Sequence, residues 1–165
     1  METSIPSPGN VALPSNLLHA IGHVTAIWAQ LEFRIDSTIY YALERPDAPR
    51  IKTTLARPFD QRLDLLLELL PLILPKQAID EWALALIGEI RALHPRRNLV
   101  VHGAVANSQQ ELKGKAVYWF RRVRWERPVR IAEKRALSVA QVERLATDIS
   151  NQIAMAALME LYARP

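Results

Sequence analysis

The sequence predicts an all-α fold, a four-helix up-and-down bundle with a small β-hairpin inserted before the last helix. Three observations lead to it. Apolar residues recur at alternating spacings of four and three over several long stretches, as on one buried helical stripe. Prolines cluster between those stretches and punctuate them. One block, about residues 104–135, drops the helical rhythm for β-branched and aromatic residues in alternation. The chain has 165 residues, 50% of them hydrophobic and 23% charged, which suits one domain with a proper core. Residues 1–14, with Pro6, Pro8, Gly9 and Pro14, read as a flexible N-terminal arm, and residues 15–165 as the bundle.

Each element carries its own signals. Ser15 or Asn16 can cap the first helix, whose inner stripe is Leu17, Ile21, Val24, Trp28, Leu31, Ile35, Thr38 and Ala42. That helix ends before Pro46, because the residue preceding a proline avoids the helical region. Residues 45–59 contain three prolines and form a loop. Asp60 is a cap for a second helix, which turns Leu63, Leu66, Leu67 and Leu70 inward and is ended or kinked by Pro71 and Pro75. A third helix starts near Lys76 and buries Ile79, Trp82, Ala83, Leu86 and Ile90. Pro95 removes a backbone donor, so a kink or a restart is expected there. Gly103 then stops the helix in the left-handed conformation that glycine adopts at helix ends. In the β block, Val117, Trp119, Val123 and Trp125 share one face at period two and should pack the hairpin against the bundle. Val129–Ile131 can pair with that strand, and an earlier strand at 103–106 can turn through Asn107 and Ser108. Ser138 and Gln141 resemble a capping box for the last helix, with Val142, Leu145, Ile149, Ile153 and Ala156 inside.

Composition removes several functions. With no cysteine there is no disulfide framework, thiol nucleophile or cysteine zinc site, which fits a reducing cytoplasm. The opening Met1-Glu2-Thr3-Ser4 lacks the basic and apolar regions of a signal peptide. The most apolar run, Leu63 to Leu74, is broken by Asp64, Glu68 and Pro71 and is too short to span a bilayer. A cytoplasmic protein without membrane partners is expected. There is no phosphate-binding glycine loop and no pattern for a nucleophilic triad, and no cofactor is assigned. His19 and His23, four apart, have a spacing that can ligate a metal, but no third ligand stands at a telling distance. Two exposed or hydrogen-bonded histidines are the better reading, and no metal is assigned.

The net charge of +4 is unevenly spread. Between Lys113 and Arg135, nine basic residues face only Glu126 and Glu133, so this segment carries +7 and the remainder −3. Arg121, Arg122, Arg124, Arg127 and Arg130 interleave there with Tyr118, Trp119, Phe120 and Trp125. Basic and aromatic residues together can hold a phosphate backbone and stack on unpaired bases. The bland alternative is a hairpin packed by its aromatics and kept solvated by its arginines.

The sharpest signal is Arg97-Asn98-Leu99-Val100-Val101-His102. Histidine exchanges protons near neutral pH. Arginine stays charged and grips phosphate oxygens in two-point fashion. Asn98 can orient an oxygen or a water. Those are the groups that metal-free RNA cleavage needs. Asn98 and His102 share a helix face, whereas Arg97 lies about 140° round from His102 on an ideal helix. Within one chain the two meet only if the helix is distorted or the arginine reaches round. A cleft shared by two subunits would relieve this. The plain alternative is an Arg and a His that cap carbonyls at a helix end.

The segment, late in the third helix, resembles the Arg-polar-x-x-x-His motif of HEPN domains, and Trp28-Ala29-Gln30-Leu31-Glu32 resembles that family's opening-helix pattern of an aromatic followed by a glutamate. The resemblance covers most of residues 15–164 and is specific at the motif. It implies a metal-independent endoribonuclease of toxin or defence type. Arg97, Asn98 and His102 would be its catalytic residues, Glu32 would support them, and the basic hairpin would hold RNA. It further implies a homodimer with two motifs facing each other, and a cognate antitoxin protein as a partner. Other HEPN proteins keep the fold as non-catalytic binding, dimerisation or scaffolding modules, and that is the second reading. A small-molecule site in the bundle is the third. Glu32 is expected either to pair with Arg97 or Arg96 across the bundle, or to be a plain surface carboxylate. His94 reads as a helix-end residue.

Overall fold

The structure, a computed structural model, describes residues 13–49, 58–112, 115–126 and 129–164. In the β region, the side chains of residues 106–111, 115, 123–126 and 129–132 lie outside that description, as does all of the expected arm except Leu13 and Pro14.

Among the described residues four helical rods form the bundle. α1 (Ser15–Leu43) buries Leu17, Ala20, Val24, Trp28, Leu31, Ile35 and Ile39, the predicted stripe with Ile21 at its margin. Thr38 stays on that stripe because its hydroxyl donates to the Arg34 carbonyl at 2.8 Å. Pro14, rather than Ser15 or Asn16, precedes the first turn, and its carbonyl accepts from the Leu17 and Leu18 amides. α2 (Phe59–Ile73) likewise follows Pro58, so Asp60 lies inside the first turn and not at the cap. There its carboxylate suits the positive end of the helix dipole. Pro71 remains within α2, and the chain turns out of the helix at Leu74, before Pro75.

The third rod is continuous from α3 (Lys76–Ala78) through a π-helical turn (Ile79–Ala83) to α4 (Leu84–His102), with helical dihedrals at every junction. The expected restart at Pro95 does not occur. Its exposed ring sits inside α4, and the change in helical geometry comes earlier, in the wider π turn. Gly103 is also not left-handed. It is extended (φ −76°, ψ 137°), with its amide on the Leu99 carbonyl at 3.0 Å. A Cβ there would fall 2.1 Å from that same carbonyl oxygen, so close backbone approach selects the glycine.

This tight exit leads directly into an antiparallel meander, β1 (Ala104–Leu112), β2 (Lys115–Glu126) and β3 (Val129–Leu137). Ala104 faces Arg121, and Val129 faces Glu126. Asn107 and Ser108, expected as a turn, lie inside β1 where its register with β2 shifts between Ala106 and Gln110. Of the expected inner face, Val117 is buried but Trp119 is not part of the core, and the side chains of Val123 and Trp125 lie outside the described residues. Tyr118 and Phe120 enter the bundle core, while Trp119 looks away, half-buried, with the Lys134 ammonium 4.4 Å above its ring. Residues 117–120 are all apolar or aromatic, so alternation defined two faces without saying which meets the core.

α5 (Val139–Ala163) begins at the predicted capping box: the Ser138 Oγ accepts from the Gln141 amide at 3.3 Å, and the Ser138 amide donates to the Gln141 Oε1 at 2.8 Å. Arg34 meets Glu160 and Tyr41 meets Arg164, so α1 and α5 run in the same direction. Arg62 meets Glu32 and Asp36 at one end, and Arg45 bonds the Leu72 carbonyl at the other, so α1 and α2 also run together. Asp60 meets His94 and Asp64 meets Arg91, which sets α4 against them. Strict up-and-down alternation is thus kept around α4 but not between α1 and α2. Residues 44–58 connect the two helices. Among the described residues no helix is long and apolar enough to cross a membrane.

Gly103→Ala should lower unfolding stability by about 1–3 kcal/mol through that forced contact. A urea titration followed by circular dichroism reads it, and an unchanged midpoint would show that the backbone exit is less tight than described.

Candidate functional site

His94, Asn98 and His102 recur every four residues along α4 and so share a face. Hydrogen bonds run along that face without a gap. The Asp60 Oδ1 lies 3.0 Å from the His94 Nδ1. The His94 Nε2 lies 2.8 Å from the Asn98 Nδ2. The Asn98 Oδ1 accepts from the Arg97 Nη1 at 2.9 Å, and the same Nη1 lies 3.0 Å from the His102 Nε2. Donor arithmetic fixes the protons. A guanidinium only donates, so the His102 Nε2 must be a bare lone pair. The Asn98 oxygen faces Arg97, its amide nitrogen therefore donates to the His94 Nε2, and His94 carries its proton on Nδ1 toward Asp60.

Arg97 is half-buried over the Trp28 ring, 5.5 Å from its centroid. Trp28 in turn stacks on His94 at 5.7 Å and tilts against Phe59 at 4.9 Å. Apart from Nη1, the buried Arg97 Nε has no hydrogen-bond partner among the described residues. Both acceptors of Arg97 are neutral. Burial pulls the guanidinium below its ordinary pKa, the charge of Glu32 opposes this, and Arg122 adds to the lowering. His102 is exposed at the helix end. Desolvation lowers its pKa from 6.5, and the charges of Arg97 and Arg122 lower it further. The neutral imidazole is the stable form at pH 7.

Sequence-predicted residues fall into three groups. Arg97, Asn98 and His102 come together within one chain, because the flexible arginine side chain reaches round the helix. The two functional groups therefore need no second subunit in order to meet. Neither caps a carbonyl among the described hydrogen bonds. Glu32 stands near but pairs elsewhere: its Oε1 accepts the Trp28 indole N–H at 2.7 Å and lies 3.6 Å from Arg62, which also grips Asp36. Arg96 turns the other way, to Asp148 at 3.1 Å. Of the basic hairpin, Arg122 is close enough for its charge to act on both Arg97 and His102, while Arg121 is exposed on the opposite face of β2. The side chains of Arg124 and Arg130, and the whole of Arg127, lie outside the described residues. His19 and His23 are exposed on α1, and no group of three metal-ligating side chains occurs among the described residues.

His94 and Asp60 were not read as site residues. The available signal was the four-residue spacing of His94, Asn98 and His102. No protein-family model, curated protein or solved structure matches the chain.

His102 should titrate below 6.5 by NMR, and Arg97→Ala should move its pKa back upward by removing a neighbouring cation. A His102 pKa at or above 6.5 in the wild type would contradict the site. The unfolded chain binds this proton near 6.5, so the stability contributed by neutral His102 is complete above that pH and is lost as the pH falls through the lower folded value.

Proposed function

We propose that this chain is a HEPN-like, RNA-directed protein that cleaves single-stranded RNA without a metal, using Arg97 and His102. The observation that carries the reading is the bond between Arg97 Nη1 and His102 Nε2, an exposed neutral base held by a cation that no acidic side chain among the described residues bonds. A half-buried guanidinium bonded only to neutral acceptors retains affinity for an anion. A backbone phosphate competes for Nη1, and its arrival frees the His102 lone pair beside the adjoining ribose. His102 then takes the proton of the 2′-hydroxyl, whose oxygen attacks phosphorus. Arg97 stabilises the charge gathered on the phosphoryl oxygens. The bond from phosphorus to the 5′-oxygen breaks, leaving a 2′,3′-cyclic phosphate and a 5′-hydroxyl. The leaving oxygen takes its proton from water or, in a homodimer with facing motifs, from a second protonated imidazole. Asp60, His94 and Asn98 are positioning residues in this scheme, and Arg122, on the face of β2 nearer His102, extends the basic surface along which RNA lies.

The second reading is a non-catalytic HEPN-like module that binds RNA or a protein partner such as a cognate antitoxin. It draws on the same observation, since a cation and an imidazole with unspent hydrogen-bonding capacity can hold a phosphate without cleaving it. We further place the protein in the cytoplasm, on its lack of cysteine.

The purified protein in EDTA should cut a single-stranded RNA to cyclic-phosphate ends, with cleavage rising with pH through a value below 6.5. His102→Ala should reduce cleavage by at least about 100-fold and Arg97→Ala similarly, with both variants folded by circular dichroism. Binding of RNA without cleavage by the wild type would favour the second reading, and undiminished cleavage by His102→Ala would remove that residue from the reaction.

A further inference from the structure

One edge of the sheet stands open beside the bundle. β3 is an outer strand, paired with β2 alone. Among the described residues no other backbone hydrogen bond reaches residues 133–137. Every second N–H and C=O along that edge therefore lacks a protein partner there. On its bundle-facing side β3 carries Arg135 across from Phe120 and Leu137 across from Tyr118. Phe120 and Tyr118 fill the core, whereas Arg135 and Leu137 line a cavity of about 390 Å³ between β3, α4 and the first turns of α5. Arg96 of α4 and Arg144 of α5 reach the same cavity, and Leu99 and Leu145 form an aliphatic floor. Among the described residues no acidic side chain lines it. Glu133 shares the face of Arg135 but stands across from Arg122, outside the cavity. Arg96 pairs with Asp148 at 3.1 Å, whereas Arg135 and Arg144 form neither an ion pair nor a hydrogen bond among the described residues. Gln141 and Arg144 also line a wider cavity of about 790 Å³ that reaches Leu112 and Val117, so the groove runs on past the end of β3.

We propose that an extended acidic segment of a partner protein adds to this sheet as a fourth strand, beside β3. Strand addition satisfies the open backbone edge, and side chains at alternate positions then supply the specificity. Residues directly across from Arg135 and Leu137 stand two apart on the added strand, so both face the bundle. The matching pattern is acidic and apolar residues at alternate positions. Its carboxylates meet the unpaired guanidiniums of Arg135 and Arg144, and its apolar side chains cover the leucine floor. Charged side chains on an outer strand also guard against edge-to-edge aggregation. Guarding needs charge on the strand itself and does not call for Arg144, which converges on the same hollow from α5. A polynucleotide offers phosphates to the arginines but no row of alternating donors and acceptors for the strand. The groove is separate from His102, because Arg96 turns toward α5 and Arg97 toward Trp28 of α1. The inference does not depend on RNA cleavage.

NMR of the full chain, labelled on leucine and valine methyls, tests the proposal with a capped heptapeptide of leucine, threonine, glutamate, threonine, glutamate, threonine and leucine. Its order reads the same from either end, so it serves for parallel or antiparallel addition. The peptide should saturate and shift the methyls of Leu99, Leu137 and Leu145. Replacing both glutamates by lysine should weaken binding by at least about tenfold, and so should Arg135→Ala with Arg144→Ala. Both arginines are exposed, so the remaining methyl spectrum of that variant should not change. Methylating alternate peptide nitrogens should weaken binding in one phase and spare it in the other, because only every second amide of an added strand faces β3. Arg97→Ala should leave binding intact. The proposal is overturned if millimolar peptide does not saturate, if the lysine peptide or the double variant binds normally, if both methylated phases bind equally well, or if the shifts centre on Val101 beside His102. Movement of these methyls with a single-stranded RNA oligonucleotide but not with the peptide would make the groove an RNA contact. Movement with protein concentration alone would assign it to a second copy of the chain. Either result overturns the proposal.

Discussion

One guanidinium nitrogen organises the site. Arg97 Nη1 gives one hydrogen to the Asn98 oxygen and another to the His102 lone pair. Everything upstream of that nitrogen serves to hold it. Asn98, buried, is pinned by His94, and His94 by Asp60 at the start of α2. Trp28 lies under both Arg97 and His94. Two helices packed against α4 thus determine where a charge on α4 points. A side chain as mobile as arginine loses considerable rotamer entropy when fixed. The aromatic platform and the two neutral acceptors offset that loss without neutralising the charge.

The same packing explains why the imidazole is kept unprotonated. His102 sits where α4 gives way to the sheet, and the tight exit at Gly103 puts β2 against the helix end. Phe120 anchors β2 in the bundle core, so Arg122, two residues on and on the same face, is carried close to His102. Partial desolvation and two nearby guanidiniums act in the same direction. An imidazole lacking its proton near neutrality is a base, and cations beside it also attract the polyanion that would supply the proton. One local field would therefore serve both substrate capture and base preparation.

Much of the fold was legible because its signals are local. The four-and-three spacing of α1, the capping box of Ser138 and Gln141, and the prolines that bound α2 each depend on neighbours in sequence. The errors cluster where long-range packing decides. Alternation in β2 could not say which of two apolar faces meets the core. Pro95 was expected to kink or restart the helix, and α4 runs through it without a restart. Gly103 was recognised as a required glycine, but close approach to the Leu99 carbonyl is the reason, not a left-handed turn. The motif Arg97, Asn98 and His102 was visible in the sequence, whereas its support was not. Asp60 looked like a helix cap and His94 like a helix end, and only the packing of α2 on α4 joins them. The ideal helix placed Arg97 and His102 apart because it describes where Cβ atoms lie, not how far a four-carbon side chain with a planar head can reach.

The central claim is a proton assignment: at neutral pH the His102 Nε2 is unprotonated and accepts from Arg97. Nitrogen-15 chemical shifts of the imidazole, with two-bond correlations to the ring protons, distinguish the tautomers directly. The account predicts a neutral His102 ring with its proton on Nδ1 and a bare Nε2. A ring protonated on Nε2, or on both nitrogens, would contradict it, because a guanidinium could not then be its partner.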